Sequence, residues 1–139
     1  MVYCESQLRL LFMQYNMDYF GSILPMPIFK IRHSVNILGY FSYRPDEMFG
    51  TTETIEISDF YDYKPNQLRD ILVHEMVHYY LYYTGEDLKL KHGKAFKKMA
   101  KQLNKTFGLH ITPTIDLTKY KPRPDAPYLK RLYFRLFFA

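Results

Sequence analysis

Cysteine is almost missing from this chain: Cys4 stands alone among 139 residues. A single thiol closes no internal disulfide and builds no CxxC knuckle, so a disulfide scaffold and a zinc ribbon are both excluded. Any metal held here must rest on histidine and carboxylate. Tryptophan is absent and glycine is sparse, at six residues, and no internal repeat or low-complexity stretch is present. Apolar runs are short and broken by charge, and none reaches the roughly 18 to 20 residues that a membrane-spanning helix needs. A soluble protein is expected. The opening MVYCESQLRL carries Glu5 and lacks a basic stretch followed by an apolar block, unlike a secretory leader, so the expected location is cytoplasmic.

Acidic residues are also scarce in one part of the chain. From Met1 to Leu88 there are 6 Lys and Arg against 12 Asp and Glu, whereas Lys89 to Ala139 carries 13 against 2. The overall net charge of +5 hides this division. A basic half suggests a polyanionic partner such as nucleic acid, since clustered cations displace counterions from phosphates. The plainer alternative is a solvated lysine-rich helix face followed by a basic tail.

What is present suits one compact domain with a substantial core, the hydrophobic fraction being 47%. Leu8, Leu11, Phe12, Tyr15 and Tyr19 recur at helical spacing between Glu5 and Phe20, with Gly21 as a stop. Strands are expected at Ile28 to Arg32, Ile37 to Tyr43 and Thr52 to Ile57, with a turn from Arg44 to Gly50. Pro65 suits the first turn of a second helix that runs to Tyr83 and stops at Thr84 and Gly85. A third helix places Phe96, Met99, Ala100, Leu103 and Phe107 in one stripe and ends near Gly108. His110 to Leu117 suggests one more short strand. The segment 119–139 mixes prolines, cations and aromatics and carries no assignable element.

The second helix contains His74, Glu75, Met76, Val77 and His78. Residues four apart lie one above the other on a helix, so both imidazoles can reach one tetrahedral ion at a Zn–N distance of about 2.0 to 2.1 Å. Glu75, one residue along, is long enough to reach a water on that ion and act as general base without ligating it. A catalytic zinc needs a third protein ligand and an open position. His92, across the charged loop GEDLKLK, is the natural candidate, with Glu86 and Asp87 as rivals. A lone histidine on an apolar helix face is more often a packed core residue, but a pair with an intervening glutamate has a mechanism. His33 and His110 have no ligand-like neighbour and fall to surface or structural roles. Tyr79, Tyr80, Tyr82 and Tyr83 on the same helix are packing aromatics rather than catalytic acids. The implied reaction is peptide hydrolysis, with Zn2+ as cofactor and a protein as substrate.

In order along the chain stand YFGSILP at Tyr19 to Pro25, Gly39 before a strand, IEIS at Ile55 to Ser58, LRDILVHEMVHYYL, HGKAF at His92 to Phe96, and GLHIT. With these features the sequence resembles the SprT-like, or Spartan-like, family of zinc metalloproteases over most of its length to about Thr112. The resemblance implies a small α+β zincin-like domain at 1–118: a three-helix core with HExxH on the second helix, packed against a small sheet, followed by a basic aromatic tail at 119–139. It also implies His92 as the third zinc ligand beside His74 and His78, with Glu75 catalytic. Relatives of this kind degrade proteins crosslinked to DNA. Here Lys89, Lys91, Lys94, Lys97, Lys98 and Lys101 are available for phosphate, and Tyr128, Tyr133 and Phe134 for stacking on bases or, alternatively, for covering the core. The competing function is a zinc-containing, nucleic-acid-associated binding or regulatory protein without proteolytic activity.

Overall fold

Leu8, Phe12 and Asn16 recur every fourth residue, and they form the buried face of α1 (Glu5–Tyr19) in the computed structural model, which describes residues 4–46, 48 and 50–138. Three strands follow, β1 (Ile28–Arg32), β2 (Gly39–Asp46) and β3 (Gly50–Ser58), and then α2 (Pro65–Tyr83), α3 (Lys94–Phe107) and α4 (Tyr128–Phe137). The architecture is α+β, with four α-helices and one three-stranded sheet among the described residues. No helix among them is long and apolar enough to cross a membrane.

The sheet order is β1-β3-β2, with β1 parallel and β2 antiparallel to the central β3. Alternation along β3 sends Ile55 and Ile57 inward, and both are fully buried. Phe29 and Phe41 are the Cα partners of Ile55 on either side, so one apolar row crosses all three strands. Phe12 meets Phe29 edge-on at 5.7 Å, and Tyr79 of α2 stacks on Phe41 at 5.1 Å. That row is the joint between helices and sheet.

β2 differs from its expected span of Ile37 to Tyr43. Ile37 donates its N–H to Ser34 Oγ in a turn, so the strand starts later, at Gly39. It also runs on through Arg44, Pro45 and Asp46, which were expected in a turn; Glu47 and Phe49 of that expected turn lie outside the described residues. Pro45 is tolerated because β2 is an edge strand, where one missing N–H breaks no second ladder.

α2 has Pro at its first turn, and residues 71–79 are all buried, so this helix is surrounded rather than laid on a surface. α3 buries Phe96, Ala100 and Leu103, and ends at Gly108, whose φ of +70° is the left-handed conformation a helix stop favours. The strand expected from His110 to Leu117 does not form. The side chain of Asn104 takes both the N–H and the C=O of Ile111, at 2.8 and 2.9 Å, so the groups a ladder would use are already bonded. Pro113 offers no N–H, and Asp116 caps a short 3-10 turn at Leu117–Lys119.

The segment after Lys119 is stitched to the residues that follow β3. Asp62 N–H donates to Lys121 O at 2.7 Å and Arg123 N–H to Phe60 O at 2.8 Å. Phe134 of α4 is buried against Phe60 and Tyr61. Tyr128 and Tyr133 remain 61% and 40% exposed, so of the three aromatics considered for stacking on bases Phe134 alone covers the core.

Asn16 holds the α1–β1 connection from inside: its amide donates to Leu24 O at 2.9 Å and its carbonyl accepts Leu24 N–H at 3.3 Å. Asn16→Ala leaves both backbone groups unpaired in a buried place and should cost about 2–3 kcal/mol, read as a lower urea midpoint at unchanged slope.

Candidate metal centre

His74 and His78 project from the same face of α2, as their four-residue spacing requires, and His92 arrives from the loop before α3. The Nε2 atoms converge: His92 lies 3.1 Å from His74 and 3.0 Å from His78. Among the described residues these three are the one group of candidate ligands that meet, their donor atoms lying within 4.8 Å of one another. Three ligands around a tetrahedral zinc stand about 3.3 Å apart, from Zn–N bonds of about 2.0 to 2.1 Å. The spacing found here is close to that value. Three imidazole nitrogens facing one point also cannot all be satisfied by protons, because a proton on any one serves at most one neighbour. A cation satisfies all three lone pairs, so the donor set fits a metal.

The surroundings favour neutral rings. Burial, together with the neighbouring His78 and His92, lowers the His74 pKa to about 3, against a weaker opposing hydrogen bond to the Thr112 backbone. His78 is lowered to about 4 by burial and then by His92, and His92 is lowered by burial, with Asp87 opposing. Phe96, fully buried on α3, lies with its ring centroid 4.8 Å from each of the three imidazoles. It forms a common apolar seat for the three candidate ligands. Phe96 stands in the packing stripe of α3 and closes the HGKAF motif, but nothing in its periodicity distinguishes it from Ala100 or Leu103.

Glu75, one residue along α2, turns toward the sheet while still lining a cleft shared with the histidines. It is 5% exposed, its Oε2 has no hydrogen-bond partner, and burial raises its pKa to about 8. The nearest backbone is Gly39 of β2: a Cβ there would stand 3.0 Å from Glu75 Cγ and 3.1 Å from Ile71 Cγ2. Gly39 therefore gives the carboxyl its room. Glycine at that position had been noted as a family feature, and the close approach is its physical reason.

Two clefts flank His74. One, of about 480 Å³, exposes Glu75 and all three histidines and is walled by Gly39, Leu90, Ile115 and Leu117. The other, of about 420 Å³, is more polar, with Asn66, Gln67, Asp70 and Asp116. The irregular segment after α3 is the ridge between them, and Ile115 borders both.

The remaining candidates lie elsewhere. Both carboxylate oxygens of Asp87 accept backbone N–H groups, from Lys89 and Lys91, and Glu86 is exposed. His33 pairs with Asp59 at 2.8 Å on the surface, and His110 is exposed beside the polar cleft. Tyr79 donates to Pro25 O and Tyr82 to Thr51 Oγ1, and neither borders the cleft that holds Glu75.

The family model described as the SprT-like family matches residues 8–115 of this chain. Comparison with curated proteins and with solved structures gives no match.

Burial predicts how the metal-free protein responds to pH. Glu75 titrates near 4.5 when unfolded and about 8 when folded, so its stabilising contribution is complete below 4.5 and is lost as pH rises through 8. The neutral His74 and His78 act oppositely: their contribution is complete above 6.5 and is lost as pH falls toward 4 and 3. Thermal melts of metal-free protein should therefore peak at about pH 6 to 7, where the gain from the two histidines and the loss from the glutamate balance. In Glu75→Gln the decline toward pH 8 should flatten, leaving the variant several degrees more stable than wild type at pH 8 and little different at pH 5. Gly39→Ala should lower the urea midpoint by an overpacking cost of about 1–3 kcal/mol.

Proposed function

From the premise that this chain belongs to the SprT-like family, we propose that it is a zinc metallopeptidase in which His74, His78 and His92 hold the metal and Glu75 is the general base. The observation that carries this is the convergence of three buried-to-exposed imidazoles on one point beside a buried carboxyl whose Oε2 has no partner. Three nitrogen ligands leave one tetrahedral position open, as a catalytic site requires and a structural one does not. Bound zinc supplies Lewis acidity toward water and a peptide carbonyl.

The chain's own residues do the rest. Glu75, with a pKa raised to about 8 by burial, accepts a proton from the attacking water and delivers it to the departing amine. Zinc bound close by would bring that pKa down again, which leaves the carboxylate ionised and ready to accept. Gly39 keeps the carboxyl in the cleft, and the apolar walls formed by Leu90, Ile115 and Leu117 limit the water around it. In this reading α1, α2, α3 and the sheet make a zincin-like domain at 1–118, and 119–139 is its basic aromatic extension.

The finer part of the proposal is association with DNA and action on DNA-bound or DNA-crosslinked proteins. It is supported by the charge division of the chain and by α3, whose Lys94, Lys97, Lys98, Lys101 and Lys105 are all exposed.

The test is cleavage of a DNA-binding protein by zinc-loaded enzyme, with and without single-stranded DNA, beside Glu75→Gln. The variant should keep its zinc and lose at least about 10²-fold in rate. A Glu75→Gln protein that cuts as well as wild type would sink the peptidase mechanism. Stimulation by DNA that fades with added salt supports the nucleic-acid role; cleavage indifferent to DNA removes it.

A further inference from the structure

His92 is the one ligand not carried by a regular element, and what fixes it has to be found in the loop itself. After α2 ends at Tyr83, the chain turns through Gly85 and Asp87 N–H returns to Leu81 O at 3.0 Å. The Asp87 side chain then closes two further bonds. Its Oδ1 accepts Lys89 N–H at 3.0 Å and its Oδ2 accepts Lys91 N–H at 3.1 Å, the second reaching the residue directly before His92. Leu88 O between them accepts the Tyr43 hydroxyl at 2.7 Å, and Tyr43 is stacked on Tyr82 of α2 at 4.1 Å. Leu90 sits at φ +54°, a left-handed conformation that a branched residue adopts only when its surroundings impose it. That turn brings the Leu90 side chain against the core and into the wall of the cleft.

We propose that Asp87 is a positioning residue for the metal centre: its carboxylate, with the Tyr43 hydroxyl, folds residues 85–91 into a rigid strap that presents His92 to His74 and His78. The proposal rests on the metal-site assignment above. It gives the aspartate that competed with His92 as a ligand a different task, since both its oxygens are committed to the strap's backbone. The strap is anchored twice, to α2 through Leu81 and to edge strand β2 through Tyr43, so His92 is held relative to the two elements that also frame Glu75. Loss of the carboxylate frees two N–H groups and removes the constraint that keeps Leu90 left-handed. His92 then has to be ordered by the metal instead of being offered to it, which weakens binding in the way the loss of an outer partner does.

The experiment measures zinc affinity by chelator competition in full-length protein, for wild type, Asp87→Ala, His92→Ala and the double variant. The ligand-field spectrum of the Co2+-loaded proteins is recorded alongside. Asp87→Ala should weaken zinc about 10- to 100-fold and alter the Co2+ spectrum. In the His92→Ala background the same change should cost less than about twofold, because there is no longer a ligand to present. Tyr43→Phe, which removes one hydroxyl and keeps the ring on Tyr82, should give a smaller loss of the same pattern and covers the case of Asp87→Ala failing to fold. Equal affinity of wild type and both strap variants overturns the proposal, and so does a loss that persists undiminished without His92, which would make Asp87 itself a ligand. A wild-type protein that binds no zinc fails the metal-site assignment instead, a result distinct from either.

Discussion

A helix buried on every side is the constraint on which this molecule turns. Residues 71–79 of α2 have sheet on one flank and α3 on another, so whatever their side chains carry is taken out of water. For Ile71, Leu72, Val73, Met76 and Val77 that is favourable, at about 25 cal/mol for each Å² of apolar surface removed. For His74, Glu75 and His78 it is costly, and the cost appears as proton affinities driven away from their usual values: imidazoles pushed toward neutrality and a carboxyl pushed toward its acid form. Both displacements suit the chemistry. A neutral imidazole is the form that binds a metal, and a carboxyl with affinity for a proton near neutral pH is the form that can take one from water and let it go.

The same burial explains what could be seen in the sequence. Spacing along a helix is a local property, so the positions of α1, α2 and α3 and the pairing of His74 with His78 follow from periodicity, and Pro65 and Gly108 mark ends by their own backbone preferences. The edges of β2 were less legible because they depend on a partner: Pro45 looks like a turn residue until its place at the sheet's rim is known. The absent strand after Gly108 was hidden for a related reason. Its fate is set by Asn104, seven residues before Ile111, whose amide occupies the backbone groups that pattern alone would assign to a ladder. α4 is hard to see in the sequence because its flanking prolines and cations resemble an extended tail, and Phe134 is its one buried residue.

Site residues divide along the same line. His74, Glu75 and His78 announce themselves by spacing, and His92 follows from ligand count and family likeness. Gly39 and Phe96 act through space, from a strand and a helix far apart in sequence, and their contribution is shape: one leaves a gap for the carboxyl, the other fills the volume beneath three rings. Neither carries a charge or a polar atom that would single it out.

The seat formed by Phe96 bears on timing. Small zinc modules with little core of their own fold only when the ion arrives, so for them metal supply and folding are one event. Here a phenylalanine already supports all three imidazoles, and the core that surrounds it, from Phe12 through Ile55 to Leu103, involves no ligand atom. Folding and loading are thereby separate events. The fold is therefore complete before an ion arrives, and under the function proposed above the ion decides activity and not shape.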